Sequence, residues 1–159
     1  MKLDLTDRKI LEILQANAKI TNAQLSKEIG LSPAPTLERV KKLENAGIIQ
    51  SYHARLNPQA IGLTVQTFVT VTLKGHKKEH IDAFMSHVSD IPEVIEVHHI
   101  TGQGDFILKI ISPDISSYQK LLVEIINEIP EIDSTQTTVV LSTFKDSKSM
   151  PIPEAIITE

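Results

Sequence analysis

The residues most readily assigned a chemistry lie between Ser32 and Glu44. Arg39, Lys41 and Lys42 fall within one helical turn of one another. A guanidinium can span both acceptors of a guanine edge, and an ammonium suits a phosphate. Ser32 followed by Pro33 is a favourable helix start, with Ser at the N-cap and Pro at N1. The N–H groups of that first turn, together with Ser32, would face a phosphate naturally. On this helix the spacing turns Leu37, Val40 and Leu43 inward. It leaves Thr36, Arg39 and Lys42 outward, with Pro35, Glu38 and Lys41 at the margins. A merely solvated basic helix would show the same pattern.

Other reactive types give less. There is no Cys, so disulfides, thiolate metal sites and a Cys nucleophile are excluded. No nucleophile–base motif is visible. His76 and His80 are four apart near a helix start, and His80 and His87 share a helical face. Two ligands on a surface helix without a fixed acid make a poor metal site. His98 and His99 are adjacent on a strand and point to opposite faces, so they cannot chelate together. One of them would sit in a sheet interface. Gly102-x-Gly104 lacks a third Gly and opens a strand, so it is not a phosphate loop.

Three short helices must position the basic residues. The first covers residues 6–16, with Ile10, Ile13 and Leu14 in a stripe and Leu11 beside it. Thr21-Asn22-Ala23-Gln24 reads as a capping box for the second. Its apolar residues are Leu25 and Ile29, and Gly30 is its C′ residue. The third runs from Pro33 to about Ala46 and stops at Gly47. Residues 48–56 look like a short strand. Two helices joined by Gly30-Leu31-Ser32, with a preceding helix to complete the core, describe a helix-turn-helix.

The remainder has a different rhythm. Residues 65–73 alternate as a strand, and Ile81, Phe84, Met85 and Val88 mark an amphipathic helix. Strands at 94–101 and 106–111 flank Gly102-Gln103-Gly104-Asp105. Tyr118, Leu121, Leu122, Ile125, Ile126 and Ile129 form a second helical stripe, and a strand follows at 135–144. The order βαββαβ is ferredoxin-like, with both helices on one face of an antiparallel sheet. The other face would expose Phe68 and its apolar neighbours, and so would dock on a second subunit. The expected class is α+β, a winged-type helix-turn-helix followed by a ferredoxin-like domain. The expected domains are 1–57 (head), 58–64 (linker), 65–146 (second domain) and 147–159 (tail, disordered or an oligomer contact).

The 159 residues carry a net charge of −4, which taken alone argues against a nucleic-acid partner. The charge is divided. Residues 1–60 hold nine basic and six acidic side chains, and the rest hold seven and fourteen, giving +3 and −7. Such asymmetry suggests two modules with different partners. No run is long and apolar enough for a membrane span, and the N-terminus has no apolar signal core. A cytoplasmic protein with no membrane partner is expected.

Taken together, these segments resemble the leucine-responsive / AsnC-type transcription regulators, the feast/famine regulatory proteins. The likeness rests on Leu3-Asp4-x-x-Asp7-x-x-Ile10-Leu11, Asn22-Ala23-Gln24-Leu25-Ser26, Gly30-Leu31-Ser32-Pro33, Leu37-Glu38-Arg39-Val40-Lys41-Lys42-Leu43-Glu44-x-x-Gly47-Ile48-Ile49, Leu56-Asn57-Pro58 and Thr101-Gly102-x-x-Asp105. It covers about residues 2–148. Asp114-x-x-x-Tyr118-x-x-Leu121-Leu122 and Thr137-x-Val139-Val140 suggest the leucine-responsive branch. The resemblance implies a double-stranded-DNA-binding head, a ligand-sensing domain, and homodimers that assemble into octamers. It also implies an amino acid, leucine among the candidates, held between sensing domains of neighbouring dimers near the β2–β3 turn. The candidate DNA-contacting set is Asn22, Ser32, Pro33, Pro35, Thr36, Glu38, Arg39, Lys41 and Lys42.

At the turn, the N–H groups of Gly102 and Gly104 would take a carboxylate, and Asp105 an α-ammonium. Thr101, Gln103, Ile115, Thr138, Val139 and Val140 would help line or transmit that site. No enzyme activity, cofactor or metal is expected, the amino-acid effector aside. The rival readings are an enzyme or amino-acid carrier built on the ferredoxin-like domain, and a regulator without a small-molecule effector.

Overall fold

The structure is a computed structural model that describes residues 2–153. The chain divides into two compact units. Among the described residues, one comprises 2–55 with 145–153, and the other 56–144.

In the first unit, helix α1 spans Leu5–Ala16, α2 Asn22–Ile29 and α3 Pro33–Asn45. The capping box of α2 is as expected. Thr21 Oγ1 accepts from Gln24 N–H at 3.2 Å, and Gln24 Oε1 accepts from Thr21 N–H at 3.0 Å. A second box caps α1. Asp4 accepts from Asp7 N–H at 2.7 Å, and Asp7 accepts from Asp4 N–H at 3.3 Å. Leu3, Ile10, Leu11, Leu25 and Leu43 form the buried cluster. Among the described residues no strand forms over 48–56, where the alternation predicts one. Among the described residues that stretch joins no sheet ladder.

The second unit holds β1 (Val65–Leu73), α4 (Lys78–Ser89), β2 (Val94–His99), β3 (Phe106–Ser112), α5 (Ile115–Leu121) and β4 (Ile132–Val139). The sheet order is β2-β3-β1-β4, and all neighbours are antiparallel. Val69, Val71, Leu108 and Ile110 are fully buried under Phe84, Val88 and Ile126. Each such side chain contributes about 1.5–3 kcal/mol by leaving water.

Three expectations for this unit change. Strand β4 lies about three residues earlier than predicted. Ile132 pairs opposite Leu73 and is buried, whereas Leu141 and Phe144 are almost fully exposed. The strand must end where β1 begins, and its last bond runs from Val140 N–H to Gln66 C=O. Helix α5 passes into a π-helical turn at Leu122–Ile126. The wider turn brings Ile126 into the core and leaves Ile125 exposed. The uncovered sheet face is mixed rather than apolar. Phe68 lies on it opposite Lys109, whose ammonium pairs with Glu96 at 2.8 Å, and Gln136 and Thr138 flank it on β4.

Candidate DNA interface and effector turn

Helix α3 is rotated relative to the periodicity reading. Thr36 is fully buried, and its hydroxyl donates to Ser32 C=O at 2.9 Å. Leu37, expected inside, is 44% exposed. Arg39 is also turned inward. Its Nη1 lies 2.6 Å from Asp4 Oδ2 and 2.7 Å from Asp7 Oδ1, and the Asp7 side chain is only 3% exposed. Arg39 therefore ties α3 to the N-terminus of α1 and does not point outward as the spacing suggests. The reason is electrostatic. A buried carboxylate must be paired, and a planar guanidinium can satisfy two carboxylates at once. Burial works against ionisation of Asp4, but the Asp7 N–H and Arg39 outweigh it and hold its pKa below the ordinary value.

The remaining predicted head residues divide into two groups. Asn22 donates to Pro33 C=O at 2.7 Å, so it braces the start of α2 against the start of α3. Ser32 is the N-cap by position but makes no side-chain cap bond. Ser32, Pro33, Glu38, Lys41 and Lys42 are exposed, and Pro35 is half-buried. The outward surface of α3 is thus Ala34, Leu37, Glu38, Lys41 and Lys42. Ala34 and Leu37 were missed. An exposed Leu carries no signal of its own in a sequence, because apolar spacing assigns it to the core.

At the second site, Ile100 N–H donates to Asp105 C=O at 2.9 Å, closing the turn over residues 101–105. Asp105 N–H donates to Val71 C=O at 2.8 Å. Its carboxylate accepts from Leu73 N–H at 2.8 Å and lies 2.9 Å from His76 Nε2. The Leu73 N–H, aided by His76 against the opposing effect of burial, lowers the Asp105 pKa. Asp105 therefore fastens the turn to the end of β1. His76 enters through this contact, and a separation of 29 residues hid it from any local reading. Gly104 has φ +89, and a Cβ there would lie 2.4 Å from Thr70 Cγ2. No side chain fits between the turn and β1.

The other predicted effector residues lie elsewhere. Ile115 opens α5 just past Ser112, at the far end of β3 from Asp105, and is exposed. Thr138 pairs with Phe68 and Val139 with Thr67. Val140 bonds to Gln66, whereas the turn bonds to Val71. At about 3.3 Å per residue, Thr138, Val139 and Val140 lie roughly 10–17 Å along the sheet from where the turn bonds to β1. One copy of the chain does not bring them together.

Of the histidines, His98 lies 3.3 Å from Glu96, and His99 stacks on Phe106 at 4.7 Å. Among the described residues no cluster of three or more His, Asp or Glu could hold a metal, and no helix is long and apolar enough to cross a membrane.

Residues 3–50 match the winged helix-turn-helix DNA-binding family, and residues 66–150 match the Lrp/AsnC ligand binding domain. The chain belongs to the Lrp/AsnC family. It is 41% identical to the leucine-responsive regulatory protein of Escherichia coli K12 over 94% of this chain and 92% of that protein. Among Lrp/AsnC-like solved structures, a Neisseria meningitidis transcriptional regulator in complex with L-Met superposes with a TM-score of 0.90 at 34% identity. The match covers 94% of this chain and 96% of the other. Escherichia coli AsnC gives 0.87 at 32% identity, covering 95% and 100%. This Lrp/AsnC protein is a DNA-binding transcription regulator in which a ligand-binding domain follows the helix-turn-helix.

Proposed function

We propose that the chain is an amino-acid-responsive regulator that works in the cytoplasm as a homodimer assembling into octamers, and that it is not an enzyme. The observation that carries this reading is the separation of the two effector-side groups along the sheet. If both line one site, then the 101–105 turn of one copy meets Ile115 or the Thr138–Val140 segment of another. In that arrangement the backbone of Gly102 and Gly104 takes the carboxylate of the amino acid. The remaining lone pairs of Asp105 take its ammonium, since a carboxylate has room for more than two donors. Leucine and methionine are the first candidates, from the name of the Escherichia coli relative and the ligand of the Neisseria structure.

At the head, Lys41 and Lys42 meet phosphates, Ser32 and the first turn of α3 meet another, and Ala34 and Leu37 contact thymine methyl groups. The acidic second unit stays clear of the duplex. Effector binding then couples assembly to DNA affinity, which is a coupling free energy between distinct sites.

Light scattering with and without L-leucine and L-methionine tests the effector reading. A change in mass on adding either is expected. An unchanged dimer or monomer, with no calorimetric heat for any amino acid, would sink it.

A further inference from the structure

The described part of the C-terminal tail, residues 145–153, belongs to the first unit rather than to the sheet it leaves. Gln15, near the end of α1, spends its whole amide on one tail residue. Met150 N–H donates to Gln15 Oε1 at 2.6 Å, and Gln15 Nε2 donates to Met150 C=O at 3.2 Å. Such a pair of bonds is what a neighbouring strand would supply. Two residues on, Ile152 packs against the buried cluster of Leu3, Ile10, Leu11, Leu25 and Leu43. Nearer the sheet, Arg55 holds Asp146 twice, with Nη2 to Oδ2 at 2.8 Å and Nη1 to the backbone C=O at 3.0 Å. The tail forms one wall of a cavity whose other walls are α1 and residues 48–53. Pro151 and Pro153 flank Ile152 and bias the segment towards extended backbone, so less conformational freedom is lost on docking.

We propose that α1 and residues 48–55 form a docking site for the chain's own residues 146–152, and that the docked segment is a releasable strap ordering the DNA-binding unit. The first unit connects to the sheet at two points in the chain, after Arg55 and before Lys145, and the Arg55–Asp146 pair bridges them. The strap closes on residues 48–53, the segment that leaves α3. Its loss therefore loosens the exit of the helix that carries Lys41 and Lys42. The grips of Gln15 on Met150 and of Arg55 on Asp146 lie at the surface, whereas Ile152 is packed. A segment held in this way opens locally without unfolding the unit.

Amide hydrogen exchange on the full chain tests this, comparing the unaltered protein with Ile152→Asp and Gln15→Ala. The second variant removes only an exposed grip, so folding is not at risk. The expected result is about tenfold faster exchange at Met150 in both variants, the scale of one lost hydrogen bond with its packing. Residues 48–51 should also exchange faster, and β1 and β3 should be unchanged. Equal exchange at Met150 in all three proteins overturns the docking. Mixing full chains with chains ending at Phe144 tests whose tail is bound. Protection appearing on the truncated copies would overturn docking within one chain. Binding to a random-sequence DNA duplex at low salt should weaken at least threefold in both variants. Unchanged affinity overturns the ordering role while leaving the family assignment intact.

Discussion

The two units are held by different physics. Among the described residues, the buried apolar cluster of the DNA-binding unit contains five residues, and beside it lie a buried carboxylate, Asp7, and a buried hydroxyl, Thr36. In the ligand-binding unit the cluster contains fourteen residues, and the tilted Phe84–Phe106 pair sits within it at 4.9 Å. The small unit offsets its thin core with directed contacts: Arg39 between Asp4 and Asp7, Asn22 on Pro33, and Gln15 on Met150. The larger unit relies on area and on the sheet ladder. Charge pairs are orientation-dependent and pH-dependent, whereas apolar burial is neither. The DNA-binding unit is therefore the one whose stability single polar changes should disturb most.

The largest expected effect lies in the apolar unit. Leu108→Ala should cost about 3–4 kcal/mol, because a fully buried leucine leaves a cavity. Chemical denaturation followed by a probe in that unit measures it. A cost below about 1 kcal/mol would mean that this core is less closely packed than its burial implies. Arg39→Ala should cost about 2–3 kcal/mol, less than a fully buried pair, because Arg39 is 32% exposed. The loss should appear in the DNA-binding unit alone. A variant of normal stability that fails only in base discrimination would restore Arg39 as a reader. Gly104→Ala should cost about 2 kcal/mol, from a left-handed φ and the clash with Thr70. NMR shifts should locate the damage at residues 100–106.

Acid acts on both units, and more gently. Asp4 and Asp105 both have folded pKa values below the ordinary carboxylate value. As pH falls, the unfolded chain takes up those protons first. The stabilisation is complete above about pH 4 and is lost as pH drops through the folded values. The Leu73 amide resonance should titrate with Asp105, and Asp105→Asn should abolish that response. The smallest effect belongs to Lys41→Ala. Stability should be unchanged, and the slope of log affinity against log salt should fall by about one. An unaltered salt slope would remove Lys41 from the phosphate contacts.

The capping signals were legible because they act within one turn. Thr21 and Gln24, Ser32 and Pro33, and the Gly30 turn with φ +73 need no distant partner. The βαββαβ order was legible for a similar reason, since periods of two and 3.6 are written into consecutive residues. What failed was phase and termination. Helix α3 has a short apolar stripe, so its rotation was decided by Asp7 drawing Arg39 inward. Strand β4 ends where β1 runs out of partners, which no property of residues 140–144 announces.

Composition, caps and periodicity thus determined the helices and the four sheet strands, their order, and the division of charge between a basic head and an acidic body, but not the absence of a strand over 48–56. These are local or additive properties. The tertiary structure alone decided which face of α3 meets solvent, that Asp105 binds Leu73 and His76, that the effector-side residues fall into two groups, and that the tail lies against α1. Each of these depends on a partner far away in the chain, and only the closed fold selects that partner.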